Sequence, residues 1–239
     1  MPTVKETMKR LAIAFTARDI MIPRRELVCA GSESEAEVVS QTNPDFSIIP
    51  IRRKGKVGGY FERDTHSVKE IALSDLISDG TSLLNLVDIF KDRQFCFILS
   101  HRQIAGYVHF SDLNHHLVKL TFYVILEAFE RKLLNSIQRE DDAHYLRRNL
   151  DPNRFEQIVK QYKRHGDAAR NLFNYLNISD ILQLAVKANK VRMDSETIRA
   201  AKRFRDGAAH PSLNLVANYH EVKKLVTVKR ECLRILGRA

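Results

Sequence analysis

Tryptophan is absent from this 239-residue chain, and cysteine occurs three times. Cys29, Cys96 and Cys232 lie too far apart for any metal-ligand spacing, and so sparse a set excludes a disulfide-built scaffold, which fits a reducing compartment. Cys96, inside Phe95-Cys-Phe-Ile-Leu99, reads as a small buried hydrophobe. No apolar run approaches the roughly 20 residues a bilayer span needs, so no membrane partner is expected. Met1 to Ala30 carries Lys5, Lys9, Arg10, Arg18 and Asp19 without a continuous apolar stretch; that is no signal peptide, and a cytoplasmic location is expected. Lys9 to Phe15 is amphipathic and reads as a buried helix in preference to a targeting segment. With 44% hydrophobic and 28% charged residues, disorder is excluded as well.

What is present is uneven. Residues 1–112 hold 15 Lys/Arg against 15 Asp/Glu, whereas residues 113–239 hold 24 against 14, the whole of the net +10. The length fits two domains, and the boundary is placed at 116/117, with a neutral module before it and a basic one after. A positive field of this kind attracts polyanions whatever their sequence, so RNA is a candidate partner of the second half.

The first half repeats itself. Phe46 to Asp64 and Phe95 to Asp112 each contain an apolar strand, a polar turn, a glycine, a second strand and an aspartate six residues after the glycine. Gly58 to Gly106 and Asp64 to Asp112 are both 48 residues apart. A helix precedes each strand pair: Ser32 with Glu35 has capping-box spacing, and Thr81 to Phe90 has helical periodicity. Further upstream, Ala17–Met21 and Leu73–Ile77 place Asp19 and Asp75 in similar settings, giving a unit of helix, link, helix, strand, turn, strand.

On these motifs the segment from about 17 to 116 resembles a tandem pair of cystathionine-beta-synthase-type (CBS) domains. The resemblance implies a pseudo-two-fold α/β pair that binds an adenine nucleotide, such as AMP or ATP, as an effector. It places Gly58 and Gly106 at the strand positions and Asp64 and Asp112 on the ribose hydroxyls, where a carboxylate offers two acceptors. The family favours serine or threonine three residues before each aspartate; here stand Phe61 and His109, so phosphate contact falls to Arg63, Arg102 or His109. Asp64 and Asp112 are equally readable as caps of following helices, and the two roles are compatible.

After Asp112 the periodicity is helical throughout. Asp112 reads as the N-cap of a helix of about 112–139, which joins the two modules at roughly 40 Å. Further helices are expected over 141–148, from Asp151-Pro152 to Tyr162, over 168–187, from Ser195 towards Pro211, and over 219–236. The second half is thus an all-α bundle. His115-His116 and His144 supply too few ligands at one place for zinc, and no metal is expected.

Near the end of the bundle stands Arg205-Asp206-Gly-Ala-Ala-His210-Pro211. Pro211 pushes His210 out of helical geometry, and Gly207 to Ala209 let a backbone, helix or ligand approach. Arg205 and His210 do not share a face of a regular helix; a second copy about a two-fold axis would bring two such pairs to one cleft. The Arg-x4-His pattern, with a polar residue after the arginine, resembles the HEPN superfamily (higher eukaryotes and prokaryotes nucleotide-binding) over about 115 to 237. That resemblance implies either a homodimeric, metal-independent endoribonuclease, as many members are, or an inactive member, a nucleotidyl-transfer partner or a toxin component. His210 would move protons, Arg205 would hold phosphate oxygens and Asp206 would orient either residue. The plainer reading makes His210 a C-cap and pairs Arg205 with Asp206 or Glu196.

The expected fold is therefore an α/β CBS pair (1–116) followed by an all-α HEPN-like bundle (117–239). The leading function is a nucleotide-regulated endoribonuclease with no required cofactor. The alternatives are a non-catalytic adenine-nucleotide-binding regulatory or oligomerisation protein, and a basic nucleic-acid-binding scaffold.

Overall fold

The computed structural model describes Glu6, Arg10 and residues 13–138, 142–165 and 171–237. The chain divides into two compact units, Ala12–Leu117 and Val118–Ala239, and Glu6 and Arg10 group with the second. Of the expected buried helix at 9–15, Ile13 and Ala14 are helical, but Ile13 is exposed; Lys9, Leu11 and Ala12 lie outside the described residues.

The first unit is α/β, in the order β1 (Ile22–Pro23), α1 (Glu33–Thr42), β2 (Ile48–Arg53), β3 (Lys56–Glu62), β4 (Ser67–Glu70), β5 (Leu76–Ser78), α2 (Leu83–Ile89), β6 (Phe95–Ser100) and β7 (Gln103–His109). Its strands form two sheets, β2-β3-β4 and β1-β7-β6-β5. The hairpin registers set the true period of the duplication. Ile48 faces Glu62 as Phe95 faces His109, and Ile51 faces Gly59 as Ile98 faces Gly106. Both hairpins bulge at the same place, and the offset is 47 residues, not 48. Gly106 therefore corresponds to Gly59 rather than Gly58, and Asp112 to Thr65 rather than Asp64.

The same offset runs through the other pairings. Ala30 bridges Ile51 in parallel as Ile77 pairs with Ile98. β1 lies against β7 with Pro23 opposite Gly106, and β4 lies against β3 with Glu70 opposite Gly59. The copies exchange their leading strands: that of the first flanks the second hairpin, and that of the second flanks the first. This close approach requires glycine. A Cβ on Gly106 would stand 2.5 Å from the Ile22 carbonyl oxygen and one on Gly59 2.8 Å from that of Lys69, whereas nothing lies within 4 Å of one on Gly58.

Strand alternation sorts the side chains into two layers. Ile49, Ile51 and Phe61 pack with Ala36 of α1. Ile48, Val57 and Tyr60 meet Phe97 and Tyr107, with Cys29, Leu76, Phe95 and Ile104 at the edge, so this second layer lies between the two hairpins. Ala17–Asp19 and Leu73–Asp75, expected as helices, are single 3-10 turns, each closed by its aspartate accepting an amide N–H: Asp19 from Thr16 at 2.7 Å and Asp75 from Ala72 at 2.9 Å. The Ser32 cap holds, its Oγ accepting from the Glu35 amide at 3.2 Å while the Glu35 carboxylate takes the Gly31 amide at 2.7 Å.

The second unit is helical: α3 (His116–Ile137), α4 (Asp142–Asn149), α5 (Pro152–His165), α6 (Ile178–Lys187), α7 (Ser195–Ala209) and α8 (Tyr219–Ile235). The long helix starts later than expected because Phe110–Asn114 forms a 3-10 turn, and Asp112 closes that turn instead of capping α3. Val118, Phe122, Ile125, Phe129, Leu133 and Ile137 of α3 are all buried, one stripe at helical spacing. The single helix expected over 168–187 is a 3-10 turn, Leu172–Tyr175, followed by α6, with residues 166–170 outside the described set. Asn177 makes the break by capping α6, its Oδ1 accepting from the Asp180 amide at 3.1 Å. Arg154 of α5 then grips the Asp180 carboxylate at 2.7 Å and the Tyr175 carbonyl at 3.1 Å. The Asp151-Pro152 start is as expected, with Asp151 accepting from the amides of Asn153 and Arg154 at 3.0 and 3.2 Å.

Candidate functional site

A cavity of about 270 Å³ opens in the first unit. Ile22, Leu27, Val28, Phe46, Ile48, Pro50 and Tyr107 give it an apolar lining; Glu26, Asp45, Ser47, His109, Ser111 and Asp112 supply the polar atoms. The duplication explains why it is open. Tyr107 lines it with Ile48 and Pro50; its mate in the other copy, Tyr60, has Phe95 and Phe97 at the matching positions, at 5.2 and 5.8 Å, and Tyr107 meets the same two rings at 5.9 and 5.6 Å. Aromatic rings thus occupy on one side the positions held on the other by a proline and an isoleucine.

Asp112 and His109, two of the residues expected to bind the effector, line this cavity together. The turn after β7 positions both: the His109 amide donates to Asp112 Oδ2 at 2.7 Å. Burial raises the Asp112 carboxyl above its ordinary value, and the His109 amide partly offsets the rise. Burial holds the His109 imidazole down to about 4, so the ring is neutral near pH 7. The Ser111 amide donates to Nδ1 at 3.3 Å and the Ser111 hydroxyl lies 2.8 Å from the same atom, while Nε2 is buried with no hydrogen-bond partner.

Asp64, Gly58 and Gly106 do not line the cavity. Asp64 is exposed in the turn Arg63–His66, and a strand, β4, follows it, so it caps no helix. Gly106 serves the strand exchange instead. The expected phosphate contacts are also redirected. Arg63 donates to the backbone carbonyls of Ser40, Asn43 and Pro44. Arg102 lines a different pocket, with Arg18, Asp79 and His101. Glu26, Asp45 and Phe46 were not anticipated. Glu26 and Asp45 sit in connections whose sequence carries no period, and Phe46 opens the first repeat; the chain fold brings all three to the cleft.

In the second unit α7 ends at Ala209, and His210 is extended (φ −110°, ψ 120°), exposed, with its amide donating to the Asp206 carbonyl at 3.0 Å. The gap above Gly207 is filled by the chain itself: a Cβ there would stand 2.7 Å from the Asn214 carbonyl oxygen. Lys119 of α3 fixes this return segment, its buried ammonium donating to the carbonyls of Pro211 at 2.9 Å and Leu213 at 2.5 Å. Arg205, half-buried, faces Glu130 at 3.8 Å rather than Asp206 or Glu196, and Glu196 pairs with Lys224 at 2.8 Å. The Glu130 carboxyl is raised by burial, with Arg205 acting against the rise. Among the described residues no group of three His, Cys, Asp or Glu is placed to hold a metal ion, and no helix is long and apolar enough to cross a membrane.

No family model and no curated protein matches the chain. Three solved structures are similar to part of it, all of the CBS domain of the bacterial CNNM/CorC family Mg2+ transporter. The complex with ATP is 14% identical, with a TM-score of 0.38 over 48% of this chain and 94% of that one. The complex with the inhibitor IGN95a is 14% identical, with a TM-score of 0.36 over 49% and 86%.

Proposed function

We propose that the first unit binds an adenine nucleoside or nucleotide in the cavity beside Asp112 and acts as a non-catalytic sensor for the basic helical unit. The observation that carries this reading is a largely apolar slot with the Asp112 carboxylate in its lining. Leu27, Val28, Phe46, Ile48, Pro50 and Tyr107 suit the faces of a flat heterocycle. Asp112, with Oδ2 on the His109 amide, offers Oδ1 to a ribose hydroxyl. The ATP of one similar CBS domain names a first probe. Titration calorimetry of the whole chain with adenosine, AMP and ATP tests the reading. Binding should weaken at least about tenfold in Asp112→Ala, the loss of a charge-assisted hydrogen bond, and stay unchanged in Asp64→Ala. Equal binding by wild type and Asp112→Ala would defeat it.

A second reading, an endoribonuclease built on Arg205, Asp206 and His210 of a homodimer, is favoured by the exposure of His210 at the end of α7 in the unit that carries the positive charge. Cleavage of mixed RNAs in EDTA by the wild type, lost in His210→Ala, supports it; cleavage that persists in the variant removes His210 from the mechanism.

A further inference from the structure

We infer that the cleft selects a nucleoside that carries no phosphate, neutral or cationic at its 5′ end. This rests on the nucleoside reading of the cavity and goes further by naming the charge of the ligand. The residues that line the cavity include three carboxylates, Glu26, Asp45 and Asp112, and neither a lysine nor an arginine.

The nearby guanidinium groups are engaged elsewhere. Arg63 donates to three backbone carbonyls at the end of α1, and Arg52 donates to the Arg24 carbonyl at 2.8 Å. Arg25 meets Glu26 at 3.2 Å, but both side chains are largely exposed, and such a pair neutralises little. His109 contributes no positive charge near neutral pH, since burial keeps its ring unprotonated. At the start of α1 the Glu35 amide is taken by Ser32 and the Gly31 amide by the Glu35 carboxylate. A phosphate bound in the slot would therefore bring two negative charges beside three carboxylates, Asp112 among them half-buried, with no lysine or arginine in the lining to offset them. A bare ribose meets no such penalty, and a 5′ ammonium turns the same field into attraction.

The measurement is calorimetry on the full chain, in EDTA and at low salt, with four probes: 5′-amino-5′-deoxyadenosine, adenosine, AMP and ATP. Affinity should fall in that order, with at least about a tenfold gap between adenosine and AMP. The double variant Glu26→Gln/Asp45→Asn, at two exposed positions whose change leaves the core alone, should close most of that gap. AMP or ATP binding as tightly as adenosine overturns the inference and leaves the sensor reading standing. So does an adenosine–AMP gap unchanged in the double variant, or ATP with magnesium outcompeting adenosine, which would mean the carboxylates meet phosphate through a metal. Absence of binding by all four probes, with and without magnesium, overturns both.

Discussion

Alanine at Gly59 or Gly106 sets a methyl group against the carbonyl of an exchanged strand, 2.8 Å from Lys69 O or 2.5 Å from Ile22 O. Backbone cannot yield as a flexible side chain does, so each substitution should cost about 1–3 kcal/mol, while Gly58→Ala should stay within about 0.5 kcal/mol. Urea unfolding of the three variants checks this, and equal costs would refute the 47-residue register. Asp112 carries a second residue-scale consequence. Its carboxyl is raised by burial, so the native state holds the proton better than the unfolded chain, and ionisation above the ordinary range weakens the fold. Asp112→Asn keeps an acceptor for the His109 amide and removes the buried charge. It should unfold at the same or higher urea concentration at pH 7 while binding nucleoside at least about tenfold more weakly. His109 works in the opposite sense. Its folded value is depressed to about 4 from 6.5, so the unfolded chain takes the proton first and stability is lost as pH falls through that interval. His115, lowered by burial and by His116, adds to the same slope. Stability measured from pH 7 to pH 4 should therefore fall less steeply in His109→Phe than in the wild type.

One clasp between elements is Arg154 on α5, whose guanidinium engages both oxygens of Asp180 and the Tyr175 carbonyl. Asp180 is 6% exposed, so Arg154→Ala would leave a buried charge unpaired and should cost about 3–5 kcal/mol, read by denaturant unfolding followed by circular dichroism. A loss below about 1 kcal/mol would mean water reaches the carboxylate. Neither partner was legible as such in the sequence, since they are 26 residues apart and each looks like an ordinary surface charge. The helices themselves were legible wherever apolar residues recur at helical spacing, as along α3, and their starts wherever a cap stands, as at Ser32 and Asp151. β1, β4 and β5 were not, because two to four residues are too few to show a period. The duplication was visible, but its offset was misread by one: Gly58 and Gly59 are adjacent, and only the carbonyl pressing on Gly59 tells them apart. That slip moved the expected partner of Asp112 to Asp64, out of the cleft. Asp112 and His109, which line the cavity, stand out in the sequence by their place in the repeat, at the end of the last strand and in the turn after it. Glu26 and Asp45 reach the cavity only through long-range packing.

Across the whole molecule the charge is partitioned: no net charge before residue 113 and +10 after it. If polyanions bind, they bind the helical unit, and their affinity must fall steeply as salt rises, because each phosphate contact releases counterions. His210→Ala removes at most one positive charge and should leave that slope nearly unchanged, so RNA binding and RNA cutting separate in this variant. Joining the two units functionally demands more than placing them in one chain. A nucleoside that acts as an effector must change the affinity for RNA by some factor, and RNA must then change the affinity for the nucleoside by the same factor. Titrating the full chain with adenosine in the presence and absence of a short RNA, and with RNA in the presence and absence of adenosine, measures both sides of that cycle. The sensor reading expects equal factors of about five or more, and both should collapse to one in Asp112→Ala. A factor of one in the wild type, with each ligand bound on its own, would make the cavity and the basic unit independent sites, and regulation of one by the other would be ruled out.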